Sequence, residues 1–313
     1  MVKTKLFLIS IIGISSVLMS CQSGQKKNAV VGNDSINIAA QDTEMVISDS
    51  IRFCESTYPY KGGLLIANFG TEQLNPLNNE GKGYILYYKD GVMSRIIPAD
   101  GNLNGPKGMY EKDGYLFICD VNKIVVYNLN APKSAPQTIT LPKGEMFVND
   151  LAAKGDTLFV SVTNTGNIYS LNIAEESALA KVKPQLWCKV PGPNGILVDG
   201  NSMYVVSYPA DGTTKPENVI YYIADLSAPK VEKFNTEPGQ YDGVALSPDK
   251  QTLYITNWNP AGVYSMDVTS KKIQPLEMKT KVTGAADMTL LDGKLYIPDL
   301  PNSRVIVLPI TSR

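Results

Sequence analysis

Apolar and polar positions follow one repeated pattern along most of this chain. In QYDGVALSPDKQTLYITN, residues 240–257, a polar residue and a glycine open a short apolar run. A Ser-Pro-Asp turn follows, and a second apolar run ends on a polar residue. The same phrase stands at Pro193-Asn194-Gly195 with SMYVVSY (202–208), at Val148-Asn149-Asp150 with TLFVSV (157–162), and at Pro106-Lys107-Gly108 with YLFICD (115–120). It returns at Ala286-Asp287 with LYIPDL (295–300), and a looser first copy combines Glu55, GGLLIANFG (62–70) and GYILYY (83–88). The leading positions 107, 149, 194, 242 and 286 are separated by 42, 45, 48 and 44 residues. Each copy holds three or four runs of strand length, rich in β-branched and aromatic residues and divided by turn residues. The 3.6-residue period of a helical repeat is missing from them.

Roughly 40 to 50 residues per four-stranded unit is the period of a β-propeller blade. Six units predict an all-β protein, a six-bladed β-propeller with four-stranded blades spanning 47–313. The first strand of each blade in such a ring lines the central channel, so the polar residues that head the phrases converge from distant parts of the sequence. Converging carboxylate and amide oxygens suit a hard cation. Glu55, Asn149, Asn194 and Asp242 are therefore expected to form one oxygen-lined cluster. Lys107 reads either as a channel cation that neutralises this cluster or orients an anionic substrate, or as a surface lysine. The competing reading of Asn194-Gly195 and Asp242-Gly243 is a pair of turns, and Asn149-Asp150 could equally cap its own strand. Asp150 and Asp287 read as residues that hold the channel wall by hydrogen bonds. Trp258 is a candidate for stacking on a sugar.

The beginning of the sequence has a different texture. Lys3 and Lys5 precede the 14-residue apolar run Leu6–Met19, too short to span a bilayer and typical of a signal-peptide core. The run ends in Leu18-Met19-Ser20-Cys21, which resembles the bacterial lipobox. Residues 1–20 are thus expected to be a lipoprotein signal peptide. Cys21 is the expected lipidation site, and 21–46 a flexible tether without aromatic residues. This predicts a membrane-anchored lipoprotein of the bacterial cell envelope, facing the periplasm. The formal net charge of −1 gives no nucleic-acid surface.

Histidine is absent, which excludes Ser-His-Asp and Cys-His catalysis and leaves carboxylates, lysine, tyrosine or an oxygen-held metal. Of the 4 cysteines none forms a CxxC pair; Cys119, inside YLFICD, reads as a buried thiol, although one disulfide is open to the set.

The stretches PNGILVDGNSMYVV, YDGVALSPDKQTLYIT and FVNDLAAKGDTLFV resemble the senescence-marker-protein (regucalcin), gluconolactonase and luciferin-regenerating enzyme family of six-bladed propellers. The repeats are also similar to NHL-type and strictosidine-synthase-like propellers. The resemblance to the first family implies a divalent metal, Ca²⁺ first with Zn²⁺ or Mn²⁺ as alternatives, held by Glu55, Asn194 and Asp242. It also implies Asn149 as a substrate-binding residue, and Asp242 as both ligand and general base in hydrolysis of a small lactone or ester; Lys107 is a further substrate-binding candidate on its channel position alone. A second class of function is a non-catalytic propeller that presents rim loops such as Pro209–Asn218 to a protein or glycan partner.

Overall fold

The runs YLFICD, TLFVSV, SMYVVS and TLYITN become the second strands of their blades and are buried almost throughout. Neighbouring blades cover both of their faces, so they read as continuous apolar stretches instead of alternating ones. The computed structural model describes residues 43–310, in which six four-stranded antiparallel sheets follow one another along the chain. Their inner strands are Cys54–Tyr60 (blade 1), Pro106–Lys112 (blade 2), Val148–Lys154 (blade 3), Pro193–Asp199 (blade 4), Tyr241–Leu246 (blade 5) and Thr289–Leu291 (blade 6). The predicted six-bladed propeller is the fold.

Blade 6 takes only three strands from the C-terminal side of the described chain. Its outermost strand is Met45–Ile47, paired antiparallel with Arg304–Pro309 in the register Val46↔Ile306. This pairing closes the ring, and it begins two residues before the propeller boundary expected at 47. The signal peptide (1–20), Cys21 and the tether as far as residue 42 lie outside the described residues. Among the described residues no helix is long and apolar enough to cross a membrane.

The core is divided into layers between blades. Leu65, Ala67 and Ile85 of blade 1 meet Met109, Leu116 and Ile118 of blade 2. Ile47, Cys54, Leu64 and Ile66 meet Val305 and Val307, so the last interface is built like the first. Cys54 and Cys119 are buried free thiols, and Cys188 is half-buried and also free. Because the strands alternate in direction, connections from second to third strand lie on the face where the inner strands begin. The two longest of these, 69–83 in blade 1 and 208–219 in blade 4, therefore stand over the same end of the channel.

Candidate functional site

The residues that head the repeated phrases sit in β-bulges, not in turns. In blade 2 the pairing jumps from Pro106↔Asp120 to Met109↔Ile118, so Lys107 and Gly108 together face one partner residue. The same shift places Asn149-Asp150, Asn194-Gly195 and Asp242-Gly243 in bulges, and blade 1 shifts at Glu55. A bulge re-aims a side chain and terminates regular pairing, so each blade turns one polar residue toward the axis. Blade 6 offers Ala286 at this position. The turn reading of these Asx-Gly steps is therefore replaced by a bulge reading.

The glycines of these steps are small for a different reason. A Cβ on Gly108 would stand 2.6 Å from the Asp150 Cα, and one on Gly195 2.5 Å from the Asp242 carbonyl oxygen. Consecutive inner strands touch here, and only glycine allows that approach. Where the ring can take a side chain, it carries a polar tie. Asp150 accepts hydrogen bonds from the N–H groups of Leu151 and Ile196, both at 2.7 Å. Asp287 accepts one from the Ser56 hydroxyl at 2.6 Å. Ser161 and Thr256 add relays: each hydroxyl accepts a bulge N–H and donates to a carbonyl of the next blade, Asn194 or Ala286. Asp150 and Asp287 thus hold the channel wall, as expected.

Glu55, Asn149, Asn194 and Asp242 behave otherwise. Asn194 Nδ2 lies 3.4 Å from Asp242 Oδ2, which joins blades 4 and 5. Beyond that contact, Glu55 Oε2, both polar atoms of the Asn149 side chain, Asn194 Oδ1 and Asp242 Oδ1 are buried without a hydrogen-bond partner. An orphaned buried polar atom costs about 1–3 kcal/mol, so several in one cluster ask for a ligand that supplies the missing interactions. All four residues named from the sequence carry such atoms, and among the described residues the remaining one is Asn167 Oδ1, on the third strand of blade 3. Among the described residues no three Asp, Glu or Cys side chains form a ready metal-ligand group. The open set is instead two carboxylates and two amides, a donor set that fits a hard cation such as Ca²⁺.

Lys107 is wholly buried, and its Nζ donates to the carbonyls of Pro76 (3.0 Å) and Gly105 (2.8 Å). The rings of Phe69 and Phe147 stand 5.4 Å from it. Phe147 holds a φ of +82°, a strained backbone for a bulky residue, and so brings its ring to the lysine. The surface-lysine reading fails. Lys107 pins the 69–83 loop of blade 1 over the site, and it is a cation within electrostatic reach of Glu55 and Asp242.

Four buried carboxyls, Glu55, Asp150, Asp242 and Asp287, thus share their surroundings with Lys107. Burial, then the Asp242 charge, pushes Glu55 well above the ordinary carboxylate range, with Lys107 opposing. Burial, followed by the Asp150 charge, lifts Asp242 to about 7. Burial also lifts Asp150 to about 7 against the pull of its two backbone N–H groups. Burial lowers Lys107, with Glu55 opposing.

These shifts set the sign of the pH dependence. The native cluster keeps protons that the unfolded chain releases above pH ~4. Without a cation, the contribution of Asp150 and Asp242 to stability is complete below pH ~4 and is lost as the pH rises through 7. Thermal unfolding in EDTA is expected at a higher midpoint at pH 5 than at pH 8. A bound cation must displace those protons, so saturating Ca²⁺ is expected to raise the midpoint more at pH 8. Equal midpoints at both pH values in EDTA would contradict the shifted carboxyls.

Sequence reasoning missed the relay roles of Ser161 and Thr256. They stand next to last in TLFVSV and TLYITN, where they were visible only as strand residues. Trp258 packs near Phe69, Ala286 and Leu300 beside the blade 6 position of the ring.

No family model matches the sequence, and no curated protein does. Solved structures share the fold. One is a protein of unknown function from Bacteroides thetaiotaomicron VPI-5482, with a TM-score of 0.58 and 11% identity over 85% of this chain and 72% of that one. Another is a catalytically inactive His-to-Ala variant of virginiamycin B lyase from Staphylococcus aureus with quinupristin. Its TM-score is 0.56, with 14% identity over 86% of this chain and 99% of that one. A chain of a nidogen/laminin complex aligns with a TM-score of 0.55 and 14% identity, over 70% of this chain and 82% of its own. At these identities the likeness is one of fold.

Proposed function

We propose that this propeller is a divalent-cation-dependent hydrolase of a small lactone or ester, held in the bacterial cell envelope by a lipid on Cys21 and facing the periplasm. The observation that carries this reading is the set of orphaned buried atoms on Glu55, Asn149, Asn194 and Asp242, from four different blades. Glu55, Asn194 and Asp242 would hold the cation, Ca²⁺ first with Zn²⁺ or Mn²⁺ as alternatives. A bound cation supplies polarisation of the substrate carbonyl. The Asn149 amide, open on both its atoms, binds and orients the substrate. Asp242 takes the proton of the attacking water at Oδ1, while its Oδ2 keeps the contact with Asn194. Lys107, committed to two carbonyls, offsets carboxylate charge and fixes the loop that covers the site. The lyase neighbour is inactive when a histidine is replaced by alanine, and this chain has no histidine, so that chemistry is not the one proposed here.

A second reading, a non-catalytic propeller whose rim loops bind a protein or glycan, draws on the length of the 208–219 loop. Calorimetric titration of the purified full chain with Ca²⁺, Mn²⁺ and Zn²⁺ separates the two. The hydrolase reading expects one equivalent bound, with Asn194→Ala weakening it at least tenfold, and ester turnover abolished by EDTA. A folded protein that binds none of these ions leaves the rim-loop reading.

A further inference from the structure

A cleft of about 420 Å³ lies between blades 3 and 4, on the face where the inner strands begin. Its walls include Thr163, Asn164, Asp211, Lys215 and Glu217, and Tyr208 stands within it. That volume is in the range of sites for small ligands. The cleft adjoins the axial cluster through the backbone: Gly192 lines it and leads directly into Pro193-Asn194, whose side chain reaches Asp242. Tyr208 is fixed at this junction. Its N–H donates to the Gly192 carbonyl at 2.7 Å, and Ser207 before it pairs with Pro193. The Tyr208 hydroxyl donates to no described residue.

Resting on the hydrolase reading, we propose that this cleft is the substrate subsite, that it takes uncharged esters and lactones, and that Tyr208 is the acid that protonates the leaving oxygen. Burial, and after it the charge of Asp242, raises the Tyr208 hydroxyl to about 12, so it is protonated at neutral pH and in electrostatic reach of Asp242. Water adds to the carbonyl carbon and gives its proton to Asp242. The carbon–oxygen ester bond breaks, and the departing alkoxide takes the Tyr208 proton, which returns from solvent. The charge preference follows from the walls. Asp211 and Lys215 pair at 2.8 Å and leave Glu217, while the axis holds four buried carboxyls against Lys107. In the cleft walls Asp211 and Glu217 outnumber Lys215, so an anionic substrate meets net negative charge there.

The test uses the Ca²⁺-saturated full chain with two kinds of ester. δ-Valerolactone leaves as an alkoxide that needs a proton, whereas 4-nitrophenyl acetate leaves as a phenolate that does not. Tyr208→Phe is expected to lower kcat about 10- to 100-fold for the lactone and less than threefold for the nitrophenyl ester, with Ca²⁺ binding unchanged by calorimetry. Ala210→Trp, which fills the cleft, is expected to raise KM for both at least tenfold. Dimethyl succinate is expected to be hydrolysed at least tenfold faster than monomethyl succinate. Equal slowing of both esters by Tyr208→Phe, an unchanged KM in Ala210→Trp, or equal rates on the two succinates each overturns the proposal and leaves the cation site standing. A wild-type chain that binds no cation removes the hydrolase reading and this inference with it.

Discussion

Asp242→Asn is expected to make the cation-free protein more stable and to cost it at least 100-fold in Ca²⁺ affinity. The two effects have one cause. Asp242 is a buried carboxyl among three others, lifted to about 7 by burial and the charge of Asp150. At pH 8 it must ionise in that setting, and the neutral amide of the same shape avoids the cost while keeping a partner for Asn194. A gain of about 1–2 kcal/mol would raise the midpoint by roughly 2–4 °C per kcal/mol in a domain of this size. Affinity falls because the charge of the ligands, more than their number, sets the affinity of an oxygen site. Thermal unfolding in EDTA and calorimetry on the same samples check both. A variant that is destabilised and still binds Ca²⁺ would make Asp242 a structural residue.

How far the sequence discloses this site depends on which property of a residue matters. The spacing of positions 107, 149, 194 and 242 was legible because a propeller repeats its inner strand at a nearly fixed interval, and the polar residue at its head varies only in type. Six blades and their order followed from that. The closing strand Met45–Ile47 was not legible, because three residues carry no periodicity and the partner of Val46, Ile306, stands 306 − 46 = 260 positions away. Nor was the role of the glycines. Asx-Gly is a turn signal in any local reading, and the reason for glycine at 108, 195 and 243 is a neighbouring blade some 40 residues further on. Lys107 shows the same limit from the other side. Its burial depends on Pro76 in the blade 1 loop and on a strained Phe147, neither of which a window around Lys107 contains.

The glycine beside Asp242 should respond in the opposite direction. Gly243→Ala is expected to destabilise the protein by about 1–3 kcal/mol or more. Its Cβ would lie 2.7 Å from the Met288 N and 2.8 Å from the Asp287 Cα, both backbone atoms of blade 6. Blade 6 is held to blade 1 by the Ser56 bond to Asp287 and by the Asp287 N–H to the Glu55 carbonyl, so it cannot yield without disturbing the ring. Gly262→Ala is the control. There the added Cβ meets the ring of Tyr264 at 3.0 Å, a side chain that can turn, and a loss below 1 kcal/mol is expected. Urea unfolding of both variants gives the comparison, and a smaller loss at Gly243 than at Gly262 would overturn the close-approach argument. Consecutive residues of one bulge thus carry opposite stability effects, with Asp242→Asn gaining and Gly243→Ala losing. On the proposed cation reading both are expected to weaken Ca²⁺ binding, the first by removing a ligand and the second by moving the blade that backs it. A turn-forming Asx-Gly pair would lose stability at both positions and leave cation binding alone.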